Sequence, residues 1–261
     1  MWAIAGDIHY DSAENDTYNS TEGISWTHQT AGPAYPARTG LTCLAFDAGS
    51  GEKMWIIGGY SGGVLNDVWT STDGKAFYEV IGGNRFPARQ EHQSVVFDDG
   101  GGSQMWVIGG TGAVTYNDVW KSADGADWTC VTGNAEFSPV SGHQCVVFQN
   151  KIWLIKNNRE VWWSSNGSYW TAATLSAAYP ARSGFACVVF DNKIFLTGGG
   201  YSGNERSDVW YSEDGANWVF VADNAFEDRY NHTMVVFNSS MWVIGGESWD
   251  YSQCEPEYSW P

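Results

Sequence analysis

Four of the seven arginines in this 261-residue chain occupy one recurring position: Arg38, Arg89, Arg182 and Arg229, the first three preceded by Pro-Ala. Val140 takes the place in a fifth copy. A guanidinium presents a planar fork of donors, so such a set could grip carboxylates on a ligand. It could equally pair with the acids that recur in step, Asp67, Asp118 and Asp208, and brace the fold. Charges in phase with a repeat favour bracing, and the four arginines remain the candidate binding set. Three residues further on come His92, His143 and His232, with Leu41 and Phe185 at the same position elsewhere. Three imidazoles could hold zinc or copper. Leu and Phe at equivalent positions favour buried histidines bonded to neighbouring backbone, so no metal site and no cofactor are assigned. Calcium in the Asp-rich loops is the one ion kept in view. His9 and His28 are isolated.

No Ser-His-Asp order, phosphate loop or Cys-x-x-Cys motif is present, so no catalytic residues are assigned. Cys43, Cys145 and Cys187 each stand three residues before a Phe that closes an equivalent strand, and read as small buried core residues. Equivalent positions on separate sheets lie too far apart for disulfide geometry. Cys130 and Cys254 complete an odd count, which does not support a disulfide framework.

The residues that could do chemistry must be positioned by the elements around them. Sixteen Trp, 13 Tyr and 12 Phe beside 31 Gly suit many short aromatic-rich strands separated by tight turns. Apolar runs of four to six residues closed by Gly, Asn or Asp argue against amphipathic helices. The net charge of −17 repels phosphate backbones and anionic lipid, which disfavours nucleic acid and membrane as partners. No apolar stretch is long enough to span a bilayer, and the first residues lack the order of a signal peptide.

The elements repeat. An apolar strand ending in two glycines begins at Met1, Met54, Met105, Ile152, Ile194 and Met241, with Ala5-Gly6 and Lys156-Asn157 departing from the double glycine. Intervals of 42 to 53 residues match a four-stranded propeller blade. An inner strand ending in Phe precedes five of these anchors: Leu41 to Phe46, Gln93 to Phe97, Gln144 to Phe148, Ala186 to Phe190 and Thr233 to Phe237. Gln149-Asn150, Asp191-Asn192 and Asn238-Ser239 supply tight hairpin turns, whereas the loops around Gly49 to Gly51 and Gly100 to Gly102 are expected to be flexible. A third strand follows four anchors, as Asp67-Val68-Trp69, Asp118-Val119-Trp120, Glu160-Val161-Trp162 and Asp208-Val209-Trp210, with Asp16-Thr17-Tyr18 a weaker copy after the first and no clear copy after Gly246. Next come a Ser-x-acid-or-Asn-Gly turn and a fourth strand opening on an aromatic, with Glu22-Gly23 an outlying turn.

Double glycine, an aromatic about ten residues on, and a second aromatic after a turn together resemble the kelch repeat across essentially the whole chain. The resemblance implies an all-β, kelch-like β-propeller of four-stranded antiparallel blades, residues 1–261 forming a single domain or a fragment of a longer chain. Thirteen of the sixteen Trp fall at the three repeating positions and are expected between blades, leaving Trp163, Trp249 and Trp260 for a surface. Six anchors favour six blades, the first and last incomplete; a five-bladed ring with a spare strand is the alternative.

The resemblance also bears on function. In kelch domains, arginines on loops leading into the inner strand contact acidic peptides, which is why Arg38, Arg89, Arg182 and Arg229 are the candidate surface. The turns resemble the Asp-box of sialidase-type propellers but lack one residue of spacing, so no sialidase activity is carried over. The preferred reading is a non-catalytic recognition or scaffolding module, extracellular or at the cell surface, holding a protein or glycan by loops at one mouth. The competing reading is an enzyme acting on sugars or sialic acids, with an acid, a base and an arginine cluster in the channel.

Overall fold

The computed structural model describes residues 1–7, 13–29, 35–201 and 204–248, and among them every regular element is a β-strand. His9, Trp249, Cys254 and Trp260 lie outside the described residues. The chain is an all-β propeller whose sheets each run outward in sequence order. The first sheet holds β1 (Trp2–Asp7), β2 (Ala13–Asn19) and β3 (Thr27–Gln29). The second holds β4 (Thr42–Asp47), β5 (Glu52–Tyr60), β6 (Val64–Ser71) and β7 (Tyr78–Glu79). The third holds β8 (Gln93–Asp98), β9 (Ser103–Ile108), β10 (Val119–Ser122) and β11 (Thr129–Thr132). The fourth holds β12 (Gln144–Phe148), β13 (Lys151–Ile155), β14 (Val161–Ser164) and β15 (Thr171–Thr174). In the fifth, a short hairpin of β18 (Gly200–Tyr201) and β19 (Asn204–Glu205) interrupts β16 (Ala186–Phe190), β17 (Lys193–Thr197), β20 (Val209–Ser212) and β21 (Val219–Ala222).

These five sheets are the blades, so the count found is the five-bladed alternative. The sixth anchor, Met241 to Gly246, lies instead in a two-stranded sheet of β22 (Thr233–Phe237) and β23 (Ser240–Ile244). Two compact units divide the chain: residues 1–154 with 162–172, and residues 155–161 with 173–261.

Local chemistry accounts for the strands. Gln149-Asn150, Asp191-Asn192 and Asn238-Ser239 all have positive φ, between 46° and 58°, the geometry a two-residue turn between twisted strands requires. The two glycine-rich loops are tied down rather than left loose: Asp47 Oδ1 accepts the Gly49 and Gly51 amides, and Asp98 Oδ1 those of Gly100 and Gly102. Even the outlying turn forms, with Ser20 Oγ accepting the Gly23 amide at 2.7 Å.

The core of the first unit lies between successive blades. Phe46, Trp55 and Val68 of the second blade pack with Met105, Val107 and Trp128 of the third. Phe97, Trp106 and Ile108 of the third meet Ile152, Leu154 and Trp170 of the fourth. One contact repeats at each junction: a Cβ on Gly74 would lie 2.3 Å from the Trp2 ring, one on Gly125 2.4 Å from Trp55, and one on Gly167 2.2 Å from Trp106. Glycine in the Ser-x-acid-Gly turn therefore lets each blade rest on the tryptophan of the blade before it, which explains the phase of the anchor tryptophans.

Cys145 and Cys187 are buried as expected, but Cys43 is exposed. Leu44 and Phe46 face the third blade, so Cys43 and Ala45 lie on the opposite face of β4, and among the described residues the first sheet has three strands with none inside β1. No disulfide joins Cys43, Cys130, Cys145 and Cys187.

Candidate functional site

The loops leading into each inner strand carry the phased arginines. Arg38, Arg89 and Arg182 are fully buried. Each makes a two-pronged ion pair with the third-strand acid of its own blade: Arg38 with Asp67 at 2.6 and 2.8 Å, Arg89 with Asp118 at 2.6 and 2.8 Å, and Arg182 with Asp208 at 2.5 and 2.7 Å. The same guanidiniums donate to the carbonyl of the first anchor glycine (Gly58, Gly109, Gly198) and to the proline two residues upstream. The second oxygen of each acid also accepts the indole N–H of Trp69, Trp120 or Trp210. Burial alone would raise the Asp208 carboxyl, but the bonds from Arg182 and Trp210 outweigh it and hold the group below the ordinary carboxylate range.

This geometry is the bracing arrangement, and it corrects the reading of Arg38, Arg89 and Arg182 as ligand contacts. Their donors are engaged inside the blade and no face of the fork reaches solvent. Arg229 differs: its side chain is 23 % exposed, it donates to the Glu227 and Gly245 carbonyls, and the nearest carboxylate, Glu227, stands 3.7 Å away. Among the described residues Arg229 alone of the four keeps part of its fork open.

The fourth blade solves the same problem with other residues. Val140 replaces the arginine, yet Glu160 keeps an acid at the third-strand position. Lys156, in place of the first anchor glycine, supplies the missing cation at 2.8 Å, itself 4 % exposed. An unpaired buried ammonium would be costly, so Lys156 in the glycine's place is matched by Glu160, which in turn has no arginine at position 140 to pair with.

The phased histidines form the wedge between neighbouring lead-in loops. His92, His143 and His232 are buried. A Cβ on Gly58 would meet His92 Cε1 at 3.1 Å, one on Gly109 His143 Cε1 at 3.0 Å, and one on Gly198 His232 Cε1 at 2.5 Å. The second anchor glycine faces its own lead-in loop: a Cβ on Gly110 would lie 2.7 Å from His92 Cβ and 2.8 Å from the Gln90 carbonyl oxygen. The double glycine thus leaves room for two loops at once. His92 and His232 each place Nε2 beside a threonine hydroxyl, Thr42 at 3.0 Å and Thr197 at 3.1 Å. Burial, with the Arg89 charge second, lowers His92 to about 3, and burial with Arg229 lowers His232 to about 4, so both are neutral at pH 7.

A second lock fixes the lead-in loop to the connection between second and third strands. Paired backbone bonds join Thr39 to Tyr60, Gln90 to Thr111, Ser183 to Gly200 and Tyr230 to Glu247. Beside them sit Gly40, Glu91, Gly142, Gly184 and Asn231, one per loop and all with φ between 53° and 62°. The Glu91 amide donates to the Gly40 carbonyl, Gly142 to Glu91, and Asn231 to Gly184. Sequence reasoning missed this chain of left-handed residues because Glu91 disguises a position otherwise held by Gly or Asn. Beyond the locks the second-to-third connections diverge; the side chain of Tyr60, at the lock itself, is 42 % exposed and Val114, beyond one, is 61 % exposed.

The Ser-x-acid-Gly turns engage their own polar groups. Asp124 Oδ1 accepts the Ala126 and Asp127 amides while Ser122 Oγ accepts that of Gly125, and Asp73, Asn166 and Asp214 repeat the scheme. Among the described residues no group of three His, Cys, Asp or Glu side chains is placed to hold a metal ion, and no helix is long and apolar enough to cross a membrane.

A family model described as the kelch motif matches residues 181–211, the stretch that holds Arg182, β16, the double glycine of β17 and Asp208-Val209-Trp210. The comparison with curated proteins found no match. Propellers of this type are commonly protein-binding scaffolds. The chain is thus similar to the kelch motif over that stretch, set on a five-bladed all-β propeller whose second and third blades repeat the same ion pair, glycine pair and turn.

Proposed function

We propose that the chain is a non-catalytic recognition module that holds a protein ligand on the loops joining second to third strands, beside the lead-in loops. One observation carries this reading. The backbone lock recurs in the second and third blades, Thr39 with Tyr60 and Gln90 with Thr111, while the segments beside it differ in chemistry: Ser61 to Gly63 and Gly112 to Val114. Rigid scaffold with variable, solvent-facing loops is how folds of this kind present binding residues. Recognition therefore rests on exposed groups such as Tyr60 and Val114, with the arginines as support beneath.

The alternative of a sugar- or sialic-acid-processing enzyme loses its main ingredient. An anionic sugar needs guanidiniums facing the substrate, and Arg38, Arg89 and Arg182 are closed into ion pairs. A combined peptide and glycan array is the test, run with the unaltered chain and with Tyr60→Ala plus Val114→Ala. Peptide binding that the double variant loses, at an unchanged melting temperature, supports the reading. Peptide binding indifferent to both changes, or binding of glycans alone, overturns it.

A further inference from the structure

The turn between β14 and β15 holds the one Asn-Gly pair in the sequence, Asn166-Gly167, where the sister turns have Asp73-Gly74, Asp124-Gly125 and Asp214-Gly215. Such a pair is labile because the glycine nitrogen, with no side chain beside it, can attack the asparagine amide carbon. The N–Cγ bond forms and the Cγ–Nδ2 bond breaks, so that the amide nitrogen, taking up the glycine N–H proton, leaves as ammonia. Water then opens the cyclic imide at one of its two carbonyls, giving hydroxyl to the carbon and a proton back to the glycine nitrogen. Opening at Cγ leaves aspartate in an ordinary main chain. Opening at the main-chain carbonyl leaves isoaspartate, with the chain rerouted through Cγ and longer by one carbon.

Both partners in that reaction are held by the folded turn. The Gly167 N–H donates to Ser164 Oγ at 2.8 Å, and Ser164 is fully buried. Asn166 Oδ1 accepts the Ser168 and Tyr169 amides at 3.0 and 3.1 Å, which ties the side-chain amide to the residues beyond the glycine. Glycine is itself required here, because φ is 70° and a Cβ would lie 2.2 Å from the Trp106 ring. Asn166 is otherwise exposed, so water reaches it whenever the turn opens. We propose that Asn166 is a deamidation site gated by its own turn: the Ser164 hydroxyl blocks the reaction in the closed blade, opening of the turn permits it, and the blade re-forms on the aspartate product and not on isoaspartate. Asp124 and Asp214 show that a carboxylate fits, since each accepts the two equivalent amides. Burial alone would raise both carboxyls, yet those bonds outweigh it and hold them below the ordinary carboxylate range. Isoaspartate instead shifts Gly167 by one carbon, away from Ser164 Oγ, the Trp106 ring and the Trp170 indole N–H that its carbonyl accepts at 3.0 Å.

The site lies on a different connection from the ligand loops proposed above, so the two readings fail separately. The full chain is incubated at mildly alkaline pH, folded and in urea, and peptide mapping by mass spectrometry follows asparagine, aspartate and isoaspartate at position 166. Ser164→Ala is followed in the same way, as is Asp124→Asn, which sets an Asn-Gly pair in the third blade's turn with Ser122 intact. The expected result is conversion at least about tenfold slower folded than in urea at both positions, because the reaction must wait for opening. Ser164→Ala should convert several-fold faster than the unaltered folded chain, and the folded fraction recovered after incubation should carry aspartate with little isoaspartate. Where Ser164→Ala lowers the melting temperature, its rate is compared with that of the unaltered chain at a urea concentration giving the same unfolded fraction, so that only release of the glycine N–H counts. Equal rates folded and unfolded, no acceleration in Ser164→Ala at matched unfolding, or isoaspartate as abundant in the folded fraction as in the unfolded one would each overturn the proposal.

Discussion

Arg182 illustrates how phase and role separate at the level of single residues. Its partner Asp208, like Asp67 and Asp118, is legible from the sequence because both groups recur at fixed offsets, yet the spacing alone also permits an arginine turned to a ligand. What decides is burial, which no pattern of charges states: the Arg182–Asp208 pair is closed over by the loop that carries it. Removing one member of such a pair leaves a charge in a dry site, so Arg182→Ala or Asp208→Asn should cost about 3–5 kcal/mol in urea unfolding. Arg229→Ala, on a half-open fork whose acid partner Glu227 is exposed and 3.7 Å away, should cost under about 1 kcal/mol. Equal losses at the two positions would show that the pairing is not what holds the blade. In the fourth blade the sequence shows Val140 and Lys156-Asn157 as two separate departures; their connection through Glu160 exists only in space.

At the level of elements, the strands, the two-residue turns and the Ser-x-acid-Gly turns were legible because each is a local solution to local chemistry. The contacts between elements were not. That the histidines lie against the glycines of the preceding anchor, or that the turn glycine rests on a tryptophan ring, depends on residues far apart in the chain. The histidine wedge has a measurable signature. His92 and His232 bind protons less readily folded than unfolded, where the ordinary value is about 6.5. Below that pH the unfolded chain gains protons that the folded chain refuses, so stability is full above about 6.5 and falls as pH drops towards 4. Each histidine should contribute a slope of at most about 1.4 kcal/mol per pH unit in that window. Denaturant midpoints measured from pH 7 to 4.5 should show the decline, and His92→Leu, the residue type found at position 41, should make it shallower. An unaltered slope in that variant would remove His92 from the account.

For the whole molecule, counting anchors suggested six blades because every anchor marks a second strand, but a blade needs its third and fourth strands as well. After Gly246 the sequence offers no Asp-Val-Trp element, and β22 and β23 stand as a pair. Repeat folds gain stability from nearest neighbours, so strands with both neighbours present should open least. Hydrogen exchange followed by mass spectrometry should therefore find β9, whose residues 105–108 are wholly buried, among the slowest segments, and β23, none of whose residues is buried, among the fastest of the strands. Uniform exchange along the chain would mean that the sheets unfold as one block. The rings of Trp2, Trp55 and Trp106 each lie beneath a glycine that comes later in the sequence. During synthesis each of the first three sheets thus leaves the ribosome with an oily ring still bare, to be capped only when the turn of the following sheet emerges. The growing chain carries one such unfinished surface forward at a time, and a stall in translation would strand that ring in water where a chaperone could seize it.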